Sequence, residues 1–177
     1  LQRRQSPGLT RVAAASLAFA PLQGLFGIIT PSGLHFERHH QGWIDVDPSK
    51  HRLMVNGLVR NAKVYPMDDL MRLPAVSRIH CIECGANSSM EWGNVSVPTV
   101  QYTHGMLSCS ESTGVPLSVL LEDCGFAKRH GKYIRAEGPD GPAMTPPIDM
   151  GRAPDDATLA HGLDGTIRRH RTGDPVP

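Results

Sequence analysis

A chain of 177 residues, 40% of them hydrophobic, holds enough apolar mass for one domain, or one domain and a fragment of another. Aromatic residues make up only 5%, and 18 Gly and 15 Pro foretell many turns and loops. A formal net charge of +1 argues against a general electrostatic nucleic-acid footprint, no apolar run approaches the roughly 20 residues of a membrane helix, and four unevenly spread cysteines do not make a disulfide scaffold.

Residues 1–21 open on Arg3-Arg4 and Arg11, continue with the apolar run Val12 to Ala20, and end Ala18-Phe19-Ala20-Pro21. A basic start, a short apolar stretch and a small-x-small end have the shape of an export-signal remnant. A disordered or surface-wrapping N-terminal arm is the alternative. Residues 22–177 form the second region. Pro31-Ser32-Gly33 reads as a turn, and Leu34-His35-Phe36-Glu37-Arg38-His39-His40 then packs one Arg and three His close together. An Arg fork with imidazoles beside it suits an oxyanion or phosphate. An exposed polar loop is the plainer reading. A zinc site from His35, His39 and His40 lacks a carboxylate or Cys at supporting spacing.

His51 to Arg60 reads as a strand with a bulge or turn at Asn56-Gly57. Pro66 to Leu73 reads as a short helix, with Pro and two acids in its first turn and Pro74 stopping it. The strand Val76 to Glu83 runs into the loop Cys84-Gly85-Ala86-Asn87. A thiol at a strand–loop junction is both rigidly held and accessible, which suits a reactive or metal-binding cysteine, and Gly85 lets the backbone approach a ligand.

Cys81 and Cys84 spell C-x-x-C, which raises a thiol-redox pair or half a zinc site. No second ligand pair follows at zinc spacing, and no helix begins after Cys81 to lower a thiol pKa. Cys81 therefore reads as a small core residue, leaving Cys84 as the functional thiol. Met90 to Asn94 and the Ser-rich stretch around Cys109 read as loops. A helix starts at Thr113-Gly114-Val115-Pro116, with Leu117, Leu120, Leu121 and Cys124 on one buried stripe and Gly125 past its end. Cys124 is structural on this reading. Lys132 to Ala136 reads as a strand leading into the rigid loop Glu137-Gly138-Pro139-Asp140, and Leu163-Asp164-Gly165 as a hairpin turn between Ala157–His161 and Thr166–Arg169. Strands and short helices alternate without a βαβ period, which predicts an α+β mixed-sheet domain.

Three segments carry a resemblance: Ile29 to His40, Ile82-Glu83-Cys84-Gly85-Ala86-Asn87, and Thr113-Gly114-Val115-Pro116-Leu117. In order and spacing they resemble the molybdenum-cofactor domain of the sulfite oxidase family, in particular its sulfane (sulfite) dehydrogenase branch in bacterial thiosulfate oxidation. The resemblance runs from about Pro21 to Asp164. It implies a molybdopterin-bound molybdenum with Cys84 as protein ligand. It implies Asn87 in the same Cys-small-small-Asn motif, Arg38 and His40 as the Arg-x-His that holds pterin and oxyanion, and Asp140 in the Glu-Gly-x-Asp loop at the cofactor.

The implied activity is oxidation of sulfite or protein-bound sulfane sulfur, with electrons passed to a c-type cytochrome subunit in the periplasm. Two departures stand out. Ser89 replaces an Arg that helps bind sulfite, which tilts the substrate toward a bulkier or protein-tethered sulfur. Ser112 replaces a Trp. The family's remaining cofactor ligands and its immunoglobulin-like domain, with the homodimer contacts, are expected beyond residue 177. A catalytically inactive or truncated domain of this fold is one alternative; a small zinc or thiol-redox module on Cys81 and Cys84 is another.

Overall fold

The computed structural model describes residues 16–39, 47–93, 99–127, 131–138, 147–151 and 156–167. Short strands and helices alternate: β1 (Ser16–Ala18), β2 (Glu37–His39), β3 (Arg52–Val55), β4 (Lys63–Pro66), α1 (Met67–Arg72), β5 (Val76–Glu83), α2 (Val100–His104), β6 (Leu107–Pro116), α3 (Leu117–Asp123), β7 (Tyr133–Arg135), β8 (Pro147–Asp149), β9 (Thr158–Leu163) and β10 (Thr166–Ile167). One sheet has the order β10-β9-β6-β5, and three two-stranded sheets pair β1 with β2, β3 with β4 and β7 with β8. This is the expected α+β architecture. Among the described residues no helix is long and apolar enough to cross a membrane.

The chain divides into two units. The first comprises Leu1–Ile44, Arg78–Ser112 and Leu163–Pro177; the second comprises Asp45–Ser77 and Thr113–Gly162. The core of the second unit is built by period-2 and period-3.6 patterning together. In the antiparallel β3–β4 pair, Leu53 lies opposite Tyr65 and both turn inward, while Met54 and Val64, one residue along, face solvent. Tyr65, Leu70, Val115, Leu120 and Cys124 form the buried cluster, with Leu53, Val55, Met67 and Leu159 packed against it. Pro66 precedes α1, Asp68 and Asp69 complement its N-terminal partial charge, and Arg72 sits in its last turn.

The helix expected from Thr113 begins later. Residues 113–116 are the end of β6, and Pro116 is the N-cap of α3. Of the expected stripe, Leu120, Leu121 and Cys124 are buried and Leu117 is half-buried. Gly125 closes α3 with φ +67°, Phe126 N–H donates to the Leu121 carbonyl at 2.9 Å, and Gly125 N–H donates to Glu122 at 3.0 Å. That pattern is a Schellman motif, which favours glycine at the left-handed position.

Arg60 N–H and Asn61 N–H donate to the Gly125 and Cys124 carbonyls, which ties the segment after β3 to the end of α3.

In the first unit, β1 pairs antiparallel with β2, so that Leu17 faces Arg38. The buried residues Phe19 and Ala20 follow, which builds residues 16–20 of the apolar N-terminal stretch into the fold. Phe19 packs on Tyr102 of α2 with ring centroids 5.5 Å apart, and Ala20 N–H donates to the Gly105 carbonyl. A Cβ on Gly105 would stand 2.7 Å from Phe19 Cβ, so this approach needs glycine. Thr99 caps α2 by accepting from Tyr102 N–H. The Ser-rich stretch around Cys109 is strand, not loop: alternate serines Ser108, Ser110 and Ser112 are buried in β6, and small side chains let the segment 30–36 pack along it.

Candidate metal-ligand loop

Cys84 is the first residue after β5 and is half-buried. Its N–H donates to the Met106 carbonyl at 3.0 Å, and its own carbonyl accepts Asn87 N–H at 2.8 Å, closing a tight turn over residues 84–87. The Asn87 amide group holds this turn from both sides. Its Nδ2 donates to Glu83 Oε1 at 2.9 Å, and its Oδ1 accepts Met106 N–H at 3.1 Å. Ser88 then takes a left-handed φ of 59° and donates its N–H to the Thr103 carbonyl. Ser89 bonds back to the Ala86 carbonyl through both N–H and Oγ. The N–H groups of Cys84, Asn87, Ser88 and Ser89 are thus bonded, while the Cys84 Sγ takes no hydrogen bond from the described residues.

A soft thiol on a braced turn fits a thiophilic, redox-active metal group. A Cβ added at Gly85 would meet nothing within 4 Å, so the backbone next to Cys84 in the chain is open. A free thiol donor and an open backbone at the neighbouring Gly85 therefore fit molybdopterin-bound molybdenum.

Arg38 is exposed in β2, between the half-buried Glu37 and His39. His39 Nε2 lies 3.7 Å from Glu37 Oε2, and the buried His35 stacks on Phe36 at 5.7 Å. Strand alternation thus separates the basic cluster: the two imidazoles turn inward and the guanidinium outward. Phe36 N–H donates to Ser108 Oγ at 3.1 Å. The Arg38 segment and the Cys84 turn are therefore anchored two residues apart, at Ser108 and Met106. His40 and Asp140 lie outside the described residues.

Cys81 is not a core residue. It is exposed, because among the described strands β5 lies at the edge of its sheet, and its residues from Ser77 to Glu83 are all exposed. Nor does it pair with Cys84: its Sγ lies 2.8 Å from Cys109 Sγ on β6. Among the described residues no three His, Cys, Asp or Glu side chains gather into a metal-binding group. Ser112, in the position of the family's Trp, is buried. Sequence reading missed Met106, whose backbone takes two bonds from the Cys84 turn, and Cys109. The only available signal for Cys109 was its placement in a run of alternating small residues.

The chain belongs to the molybdopterin-binding oxidoreductase family: the model described as oxidoreductase molybdopterin binding domain matches residues 40–176. Members bind molybdopterin, and the resemblance drawn from the Cys84 motif stands. Among solved structures, it is similar to the sulfane dehydrogenase SoxCD from Paracoccus pantotrophus, with TM-score 0.85 and 40% identity over 94% of this chain and 42% of that one. Among curated proteins, it is 30% identical to the NADH nitrate reductase of Ulva prolifera over 80% of this chain and 16% of the relative. It is 29% identical to the sulfite oxidase of Gallus gallus over 81% of this chain and 34% of the relative. The chain thus spans less than half the length of each.

Proposed function

We propose that this chain supplies the cysteine-bearing part of a molybdenum-dependent dehydrogenase acting on sulfite or protein-bound sulfane sulfur. The observation that carries the reading is the half-buried Cys84 thiol, without a hydrogen bond among the described residues, on a turn braced by Asn87 and Met106. Cys84 binds the metal as thiolate. Asn87 keeps the turn in register, since both ends of its amide are engaged within the chain. Arg38, a fixed cation on an exposed strand position, holds the substrate oxyanion or the cofactor phosphate, and His40 and Asp140 complete the cofactor contacts. When bound, the molybdenum supplies the two-electron chemistry. Electrons leave to a c-type cytochrome subunit.

Sulfur rather than nitrate is favoured by the 40% identity to a sulfane dehydrogenase over nearly the whole chain, against about 30% to nitrate reductases. Ser89, an exposed short side chain where sulfite oxidases place Arg, leaves room for a tethered substrate. A periplasmic location belongs to the same reading, and cell fractionation tests it.

The central test is made in a host that synthesises the cofactor, with molybdenum per chain measured for wild type and Cys84→Ser. Bound molybdenum with a thiolate-to-metal absorption band that Cys84→Ser loses is the expected result. Equal molybdenum and the same band in both proteins would remove Cys84 as ligand. Cytochrome c reduction with sulfite or a persulfidated carrier protein, set against nitrate reduction, then decides the substrate. Nitrate turnover alone would overturn the sulfur assignment.

A further inference from the structure

The pair Cys81 and Cys109 lies outside the Cys84 turn and is used by nothing described above. Three contacts fix how their strands meet. Ser77 Oγ bonds Thr113 Oγ1, Cys81 Sγ meets Cys109 Sγ, and Cys84 N–H bonds the Met106 carbonyl. Each advance along β5 is matched by an equal retreat along β6, so the strands are antiparallel and Cys81 stands directly opposite Cys109. The backbone bond at Cys84–Met106 makes that a hydrogen-bonded pair. Bonded and non-bonded pairs alternate, so Cys81–Cys109, three residues away, is a non-hydrogen-bonded pair. Such pairs bring Cα atoms to about 4.5 Å, inside the roughly 4.4–6.8 Å span that a disulfide bridges.

We infer that Cys81 and Cys109 form a reversible cross-strand disulfide, a modification site that takes low-molecular-weight or protein disulfides as co-reactant. The two thiols are differentiated for such an exchange. Cys81 is exposed on the edge strand and meets the incoming disulfide; Cys109 is only 8% exposed and does not. The hydrogen bond with Cys81, burial, and the nearby Asp164 charge raise the Cys109 pKa, which keeps it a thiol until Cys81 has reacted.

The Cys81 thiolate attacks one sulfur of the external disulfide, forms a mixed disulfide and releases one thiol. Cys109 then loses its proton and attacks the Cys81 sulfur, which releases the second thiol. The external disulfide gains two electrons and two protons, and the two cysteines lose them. The resulting link closes the segment 81–109, which contains the whole Cys84 turn, onto its own base.

Cleavage after glutamate places the four cysteines on separate peptides: 38–83, 84–91, 92–111 and 123–137. The full chain is incubated with oxidised glutathione, blocked with an alkylating reagent, cleaved without reduction and weighed. The expected product is peptide 38–83 joined to 92–111 with loss of two hydrogens, undone by dithiothreitol. In Cys109→Ser, Cys81 instead retains one glutathione, because no resolving thiol faces it. Cys81→Ser, a change at an exposed position, leaves Cys109 unmodified. Four free thiols in the treated wild type, a stable glutathione on wild-type Cys81, or a link through Cys84 would each overturn the assignment.

Discussion

Asn87 and Met106 hold the Cys84 turn between them. The Asn87 Oδ1 accepts the Met106 N–H at 3.1 Å, and the Met106 carbonyl accepts the Cys84 N–H at 3.0 Å. Met106 is 2% exposed, so its amide has no ready substitute partner in solvent. Asn87→Ala is expected to cost about 1–3 kcal/mol, the price of a buried donor left unsatisfied. It is also expected to speed alkylation of Cys84 by iodoacetamide. Thermal unfolding and the mass of peptide 84–91 over time measure the two effects, and an unchanged alkylation rate would show that Asn87 does not position the thiol.

Gly114 is fixed by the backbone of β9. A Cβ there would stand 2.2 Å from the Leu159 carbonyl oxygen and 2.6 Å from Ala160 Cα, both main-chain atoms that cannot rotate away. Gly114→Ala is expected to destabilise by about 3 kcal/mol, the upper end of ordinary overpacking. Gly165, at φ +75° with open space around it, should cost only about 1–2 kcal/mol as Ala, through backbone conformation alone. Denaturant titration of the two variants tests the order.

Asp123 receives hydrogen bonds from Lys63 Nζ at 2.7 Å and from Tyr65 Oη at 2.5 Å. The Lys63 bond first, and then the Tyr65 bond, lower the Asp123 pKa. A depressed carboxyl pKa contributes stability above the ordinary value of about 3.9, and that contribution is lost as pH falls through the folded value. Tyr65 is shifted the other way, upward, by burial and then by its bonds to Asp123 and Cys124. Its contribution is complete below about pH 10 and is lost as pH rises beyond that. Asp123→Asn should therefore flatten the acid limb of the stability–pH curve, and Tyr65→Phe the alkaline limb. Unfolding midpoints from pH 3 to 11 give both slopes.

Arg38 separates binding from folding. Its side chain is exposed on β2, so Arg38→Ala is expected to change stability by no more than about 0.5 kcal/mol. On the proposed role it should nonetheless reduce cofactor retention or raise the KM for the sulfur substrate at least tenfold. Arg38→Lys, which keeps the charge but not the fork, should rescue only part of this. Molybdenum content, KM and thermal midpoint measured together give the outcome, and wild-type content with an unchanged KM would remove Arg38 from the site.

Much of this architecture is local, and local physics writes itself into sequence. The strand Val76–Glu83 has the expected bounds, because β-branched residues and Ile lead up to a Cys-Gly loop. The α1 helix lies where Pro66, two acids and Pro74 put it, and Asp164-Gly165 makes the expected turn with φ values of 49° and 75°. Cys84 was identifiable as the thiol at a strand end, and Cys124 as the buried member of a helical stripe. Pairing across the sheet decided the rest. Whether Thr113 to Pro116 began a helix or ended a strand depended on β9, which packs against Gly114 and holds that backbone extended. Whether Cys81 was buried depended on β5 being an edge strand, since alternation gives two faces but not which of them is covered. The meeting of Cys81 with Cys109 and the bracing of Cys84 by Met106 join residues more than twenty positions apart. Local propensity carries no record of such contacts, because they exist only once antiparallel register has set which residues face each other.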